Sequence, residues 1–116
     1  MILIVDDDEA VRDSLSVMLS LAGFDVFTCK SCAELLTLLA DKTPDCLVVD
    51  VHMPEMNGLE LVARLNALGV AVPVILISGN MDTATEAQAR ALGVIHIFRK
   101  PFPGAVLIDT VKGITG

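Results

Sequence analysis

The sequence predicts an α/β domain, a doubly wound parallel sheet in which five strands alternate with five helices. Short β-branched apolar runs recur without polar alternation, as strands buried on both faces of a sheet require. Between them lie segments whose apolar residues repeat at helical spacing, bounded by capping residues and glycines. Polar side chains gather at the carboxyl ends of the apolar runs, where folds of this class bind ligands.

The elements follow in order. Ile2 to Val5 is an apolar strand that stops at Asp6-Asp7-Asp8. A helix is predicted from Glu9 to Leu21, with Asp8 as N-cap and Gly23 as stop. Its apolar face is Val11, Leu15, Met18, Leu19 and Ala22. Asp25 to Thr28 reads as a second strand, and Ala33 to Ala40 as a Leu-rich helix begun near Ser31. Pro44 closes that unit. Cys46 to Val49 is the most apolar strand, central by its pattern, and Asp50 sits at its carboxyl end. A loop through Pro54 leads to a helix from Gly58 to Ala67 that ends at Gly69. Pro73 to Ile77 is a fourth strand, followed by Ser78-Gly79-Asn80. Asp82 to Ala91 carries Ala84, Ala87 and Ala91 with few large side chains, which predicts a weakly anchored helix. Gly93 ends it. Ile95 to Phe98 is a fifth strand, Lys100-Pro101 follows, and Gly104 to Gly113 is a last helix with Val106, Leu107, Val111 and Ile114 inward.

Length and composition bound the function. At 116 residues the chain suits a single domain, 1–116, that buries roughly two thirds of its unfolded surface. A net charge of −7, with no Trp or Tyr, argues against direct nucleic-acid binding, which needs clustered cations or stacking aromatics. The longest apolar run, Val70 to Ile77, is broken by Pro73 and too short for a bilayer. Met1 to Val5 runs into acidic residues without a basic segment, so neither a signal peptide nor a membrane association is expected and the location expected is cytoplasmic. Three cysteines without secretory context fit reduced thiols. Cys29-Lys30-Ser31-Cys32 has the spacing of a redox pair, yet it also reads as small residues at a strand-to-helix junction, and a second pair for zinc is missing.

The strand ends carry Asp6 and Asp7, then Asp50, then Ser78, then Lys100. Singly these have ordinary readings: the acidic run as helix caps, Ser78 as a loop hydroxyl, Lys100-Pro101 as a structural turn with a cis bond as one option. His52 and His96 lack ligand spacing. Together the strand-end groups describe a pocket. Three close carboxylates repel one another and need cations; Lys100 offers an ammonium, and an oxygen-only cluster also suits a hard divalent ion such as Mg²⁺. With Asp50 as nucleophile, the ammonium, the Ser78 hydroxyl and nearby N–H groups would stabilise a transferring phosphoryl group.

The segments Ile4-Val5-Asp6-Asp7-Asp8-Glu9, Leu47 through Gly58 with Asp50-Val51-His52-Met53-Pro54, Ile77-Ser78-Gly79 and Lys100-Pro101-Phe102 stand in the order and spacing of one family. The whole chain resembles the receiver domain of two-component response regulators. The resemblance implies a flavodoxin-like fold with strand order 2-1-3-4-5. It implies that Asp50 accepts a phosphoryl group from a sensor histidine kinase or a small phosphodonor. Asp6, Asp7, Asp50 and the backbone carbonyl of His52 would hold Mg²⁺, with Ser78 and Lys100 stabilising the phosphoryl group and Asp8 outside the metal site. Such a domain is no enzyme beyond forming and hydrolysing its own acyl phosphate. The run Val5 to Leu15 looks most like receivers that precede a LuxR-type helix-turn-helix, which implies an effector domain or partner protein, a transcriptional output, and dimerisation through the surface of the fourth helix, fifth strand and fifth helix.

Ile97 departs from the pattern. Relatives usually carry an aromatic residue there, and Phe98 should face the opposite side by strand alternation. This motivates an alternative, a receiver-like interaction module that works without phosphorylation. A haloacid-dehalogenase-type phosphatase would want a second Asp where this chain has His52, and a thiol redox protein would use Cys29 and Cys32.

Overall fold

A computed structural model describes residues 1–53 and 55–115, so Pro54 and Gly116 lie outside the description. Strands β1 (Ile2–Val5), β2 (Val26–Cys29), β3 (Cys46–Asp50), β4 (Val74–Ser78) and β5 (His96–Arg99) alternate with helices α1 (Glu9–Leu21), α2 (Cys32–Leu39), α3 (Gly58–Ala67), α4 (Thr83–Ala91) and α5 (Gly104–Thr115). The sheet is parallel throughout in the order β2-β1-β3-β4-β5.

Every residue of β1, β3 and β4 is buried, which is why these strands read as unbroken apolar runs. Alternate side chains go to opposite faces. Leu3, Val5, Leu47, Val49 and Leu76 join the core under α2, α3 and α4. Ile2, Ile4, Val48, Ile75 and Ile77 join the core under α1 and α5. Among the described residues no helix is long and apolar enough to cross a membrane.

The helix starts follow their caps. Asp8 accepts the N–H groups of Ala10 at 2.9 Å and Val11 at 3.4 Å, which accounts for it as a cap. Ser31 caps α2 and Asp82 caps α4, so Asp82 precedes that helix instead of belonging to it. Asn57 and Glu60 form a reciprocal capping box at the start of α3. Gly23, Gly69 and Gly93 follow α1, α3 and α4 at φ +99°, +73° and +91°, a left-handed turn that glycine enters without a Cβ clash.

Other expectations change as well. α5 runs through Gly113 to Thr115, and Val106 points outward, 43% exposed. The inward stripe is Leu107, Val111 and Ile114, spaced four and three, with Ile108 beside it. Val106 lies one residue before that stripe and so about 100° round the helix. Strands β2, β4 and β5 each sit one residue later than expected, since their ends are set by pairing: Val5 opposes Cys29, Leu47 opposes Val74 and Ser78 opposes Arg99.

Candidate functional site

The register of the sheet builds the site. Val5 opposes Val49, so Asp6 and Asp50 leave adjacent strands at the same level. Asp50 opposes Ile77, which sets Ser78 one step further along β4, and Ser78 opposes Arg99, which sets Lys100 just beyond β5. Alternation then separates the side chains. Asp6 and Asp50 share the parity of Ile4 and Val48, and Lys100 that of Phe98, all residues of the α1 and α5 side. Ser78 shares the parity of Leu76 on the other side.

Carboxylate oxygens of Asp6, Asp7 and Asp50 lie within 4.8 Å of one another. Asp6 is 1% and Asp50 7% exposed, whereas Asp7 is open to solvent. Lys100 Nζ stands 3.5 Å from Oδ2 of Asp6 and 3.5 Å from Oδ2 of Asp50. Two unit charges at the separation of the carboxylates repel by about 3 kcal/mol at an effective dielectric near 20. One ammonium shared by three carboxylates leaves two negative charges uncompensated. Burial is the main reason the Asp6 carboxyl is pushed above its ordinary range. The N–H of Asp8, donating to Oδ1 at 2.9 Å, pulls it back; repulsion by Asp50 raises it further, and Lys100 lowers it. The all-oxygen donor set, the surplus negative charge and the half-open geometry fit a hard divalent cation such as Mg²⁺.

The remaining residues expected at the site are nearby in different ways. The backbone N–H of His52 donates to Asp50 Oδ1 at 3.1 Å, and its ring Nε2 lies 2.6 Å from the carbonyl oxygen of Asn80, tying the loop after β3 to the loop after β4. Ser78 is fully buried; its Oγ accepts the N–H of Asn80 at 3.1 Å and shares no hydrogen bond with Asp50 among the described residues. Lys100 donates its backbone N–H to Ser78 O at 2.8 Å, and its bond to Pro101 is cis. Asp8 is taken up by its cap, outside the carboxylate group.

Behind Asp50, α3 approaches the strand so closely that a Cβ on Gly58 would stand 2.9 Å from Asp50 O and 3.0 Å from Val51 Cα. Only glycine fits there without moving backbone. On the α1 side a cleft of about 430 Å³, lined by Val11, Leu15, Ile77, Phe102 and Lys100 among others, opens beside the carboxylates.

Sequence reasoning missed the contacts of three residues. Arg12 Nη1 donates to Asp6 O at 2.7 Å, a reach that its place near the start of α1 permits but does not announce. Asn80 is the partner of both Ser78 and His52. Arg99 binds the loop after β4 and α4. Ile97 packs with the core under α4 and Phe98 with the core under α5, as alternation requires. Cys29, Cys32 and Cys46 are free and buried. Burial pushes their thiols up to about 12, 11 and 12, away from the thiolate that redox chemistry uses.

Residues 2–112 match the sequence profile of the response regulator receiver domain. The chain is 37% identical over 113 residues to the transcriptional regulatory protein FixJ of Azorhizobium caulinodans, covering 97% of this chain and 54% of that protein. It thus spans about half the length of this curated relative. Its fold matches the crystal structure of FixJ-N with TM-score 0.90 at 35% identity, covering 98% of this chain and 91% of the other. It also matches a CheY-like response regulator receiver domain protein from Methanospirillum hungatei with TM-score 0.90 at 26% identity, covering 97% and 90%.

Proposed function

We propose, from the premise that this chain belongs to the response regulator receiver domain family, that it is a phosphoacceptor switch working through Asp50. In this reading a carboxylate oxygen of Asp50 attacks the phosphorus of a phosphohistidine on a sensor histidine kinase, or of a small acyl phosphate. The new P–O bond forms as the P–N bond to the imidazole, or the P–O bond to the small donor, breaks, and the leaving group takes up a proton. Water later cleaves the acyl phosphate, so the domain resets itself without turning over another substrate.

The observation that carries this reading is the position of Lys100, equidistant at 3.5 Å from Asp6 and Asp50 within a cluster of three carboxylates. Its ammonium lies where charge on the transferred oxygens would develop. The N–H of His52 fixes one Asp50 oxygen and so orients the carboxylate. The Ser78 hydroxyl is a hydrogen-bond donor that reaches the phosphoryl group once its loop moves inward. Asp6, Asp7, Asp50 and the backbone carbonyl of His52 are the groups that would hold Mg²⁺, which when bound offsets negative charge on the carboxylates and the incoming phosphoryl group.

Residues 1–116 form one cytoplasmic receiver domain in this reading, and the regulated output is transcriptional, an inference supported by what FixJ is named for. The α4, β5 and α5 surface carries the change to an effector domain or partner protein, or to a second copy. A second reading, an interaction module that works unphosphorylated, is favoured by Ile97, an aliphatic side chain half-buried beside α4.

Incubation with Mg²⁺ and acetyl phosphate should add one phosphoryl mass to the chain, and beryllofluoride should give fluorine resonances of a bound adduct distinct from those of the free ion. Asp50→Ala should lose both. An unmodified wild-type chain would favour the second reading. Millimolar Mg²⁺ should raise the melting temperature, and Asp7→Asn should shrink that gain.

A further inference from the structure

At the carboxyl end of β5, neighbouring residues serve opposite faces of the sheet. Lys100 turns to the α1 and α5 side and reaches Asp6 and Asp50. Arg99 has the parity of Ile97 and turns to the α4 side. Its guanidinium is shared between two partners: Nη1 donates to Met81 O at 2.9 Å, and Nη2 meets Glu86 Oε2 at 2.6 Å. The other oxygen of Glu86 accepts Arg90 Nη2 at 3.2 Å. Between Arg99 and Lys100, the Lys100 N–H holds Ser78 O at 2.8 Å. One dipeptide therefore touches the phosphoacceptor, the buried serine, the loop that follows it and the helix beyond.

α4 has little else to hold it. Ala89 is its one buried residue; at its C-cap Leu92 packs on the same core and its carbonyl oxygen accepts Asn66 Nδ2 at 2.8 Å, and toward its start it is held by the Asp82 cap and the Glu86 contacts. An arginine suits the position because its planar fork can satisfy two acceptors at once, a carbonyl and a carboxylate, where a lysine offers a point charge to one.

We propose that Arg99 is a positioning residue that couples occupancy of Asp50 to α4, by tethering Met81 in the loop after Ser78 and Glu86 in α4 to the strand end that carries Lys100. The proposal rests on the reading of Asp50 as phosphoacceptor. Displacement of the segment after Ser78 toward a group on Asp50 moves the Met81 carbonyl relative to the guanidinium. Because the same guanidinium holds Glu86, the loop cannot move without either carrying α4 or releasing it. Without Arg99, the loop and α4 are joined only through the Asp82 cap and the backbone, and α4 receives a much weaker signal.

The test is amide hydrogen exchange of residues 83–91 in the full chain with Mg²⁺, with and without beryllofluoride, while fluorine NMR follows the adduct on Asp50. In the wild type, beryllofluoride should change α4 exchange by about threefold or more. In Arg99→Gln, α4 should exchange about fivefold faster from the start. Beryllofluoride should then change it little, although the adduct forms and β3 stays as protected as in the wild type. Glu86→Gln should reproduce this from the other side of the contact. Arg99→Lys, able to serve one acceptor at a time, should fall between. An Arg99→Gln chain whose α4 responds to beryllofluoride as the wild type does overturns the proposal, even if its resting exchange is faster, since that is a merely structural role. Absence of any adduct on wild-type Asp50 would instead remove the phosphoacceptor reading and the coupling with it.

Discussion

Helices α3 and α4 lie on the same face of the sheet and are nearly equal in length, yet they are held by different forces. α3 buries Gly58, Leu59, Leu61, Val62 and Leu65, and α4 buries only Ala89. Each buried leucine or valine contributes roughly 1.5–3 kcal/mol, while an alanine methyl contributes far less. α3 is therefore fixed by packing, and its first residue is pressed against the backbone of Asp50. α4 is fixed by a cap at Asp82, a hydrogen bond from Asn66 to Leu92 O and a surface ion-pair network, exposed bonds that can be exchanged for water at small cost. A rigid element stands behind Asp50, and a displaceable one stands at the surface proposed to carry a signal.

That contrast can be broken most directly by truncation. Leu61→Ala should destabilise the chain by about 3 kcal/mol, because Leu61 is fully buried. Ala89→Gly in α4 should cost about 1 kcal/mol, most of it helix propensity. Urea unfolding measures both, and equal losses would mean that the two helices are not differently anchored. Gly58→Ala comes next, at about 1–3 kcal/mol, since the added Cβ meets backbone on both sides and something must shift. It should also slow labelling of Asp50 by acetyl phosphate; unchanged stability and labelling would show that α3 can retreat from β3 freely.

The charges sharpen the same comparison. Asp6 has a carboxyl raised mainly by burial, so its ionisation opposes folding at neutral pH and the penalty fades as pH falls toward its unfolded value of 3.8. Asp6→Asn should therefore stabilise the Mg²⁺-free chain at pH 7, because the burial penalty on its charge is removed and Lys100 keeps Asp50 as partner. It should also reduce the stabilisation gained from Mg²⁺. A lower melting temperature for the variant without the ion would contradict this account. Asp82 and Glu86 in the α4 region have the opposite sign. Hydrogen bonds from Thr85, and from Arg90 and Arg99, hold their carboxyls below the ordinary range. Their contribution is present above their unfolded values of 3.8 and 4.5 and is lost as pH falls further. Amide protection of α4 should then fall on acidification before that of α3 does, the smallest of the expected effects. Parallel loss in both helices would argue against a separately held α4.

Much of this was legible in the residues themselves. Asp8 and Ser31 declared helix starts because short oxygen-bearing side chains satisfy free N–H groups, and the glycines after α1, α3 and α4 declared stops, whereas Asp82, read as part of its helix, proved to be the cap. The scarcity of large side chains between Asp82 and Ala91 already announced a loosely held helix. Val106 misled because an apolar residue beside an inward stripe looks the same in sequence as one within it; the phase of α5 against the sheet chose Leu107, Val111 and Ile114. Arg99 and Glu86 gave no signal, being ordinary surface charges thirteen residues apart.

The sequence by itself determined the alternation of strands and helices and the chemistry at the strand ends, because apolar period, capping and charge are local properties of neighbouring residues. Tertiary structure alone decided that Asp6 and Asp50 stand side by side with Lys100 between them, and that Arg99 reaches across to α4. Those distances come from the register of parallel strands joined by long crossovers, and register is a property of the paired strands together, not of either one.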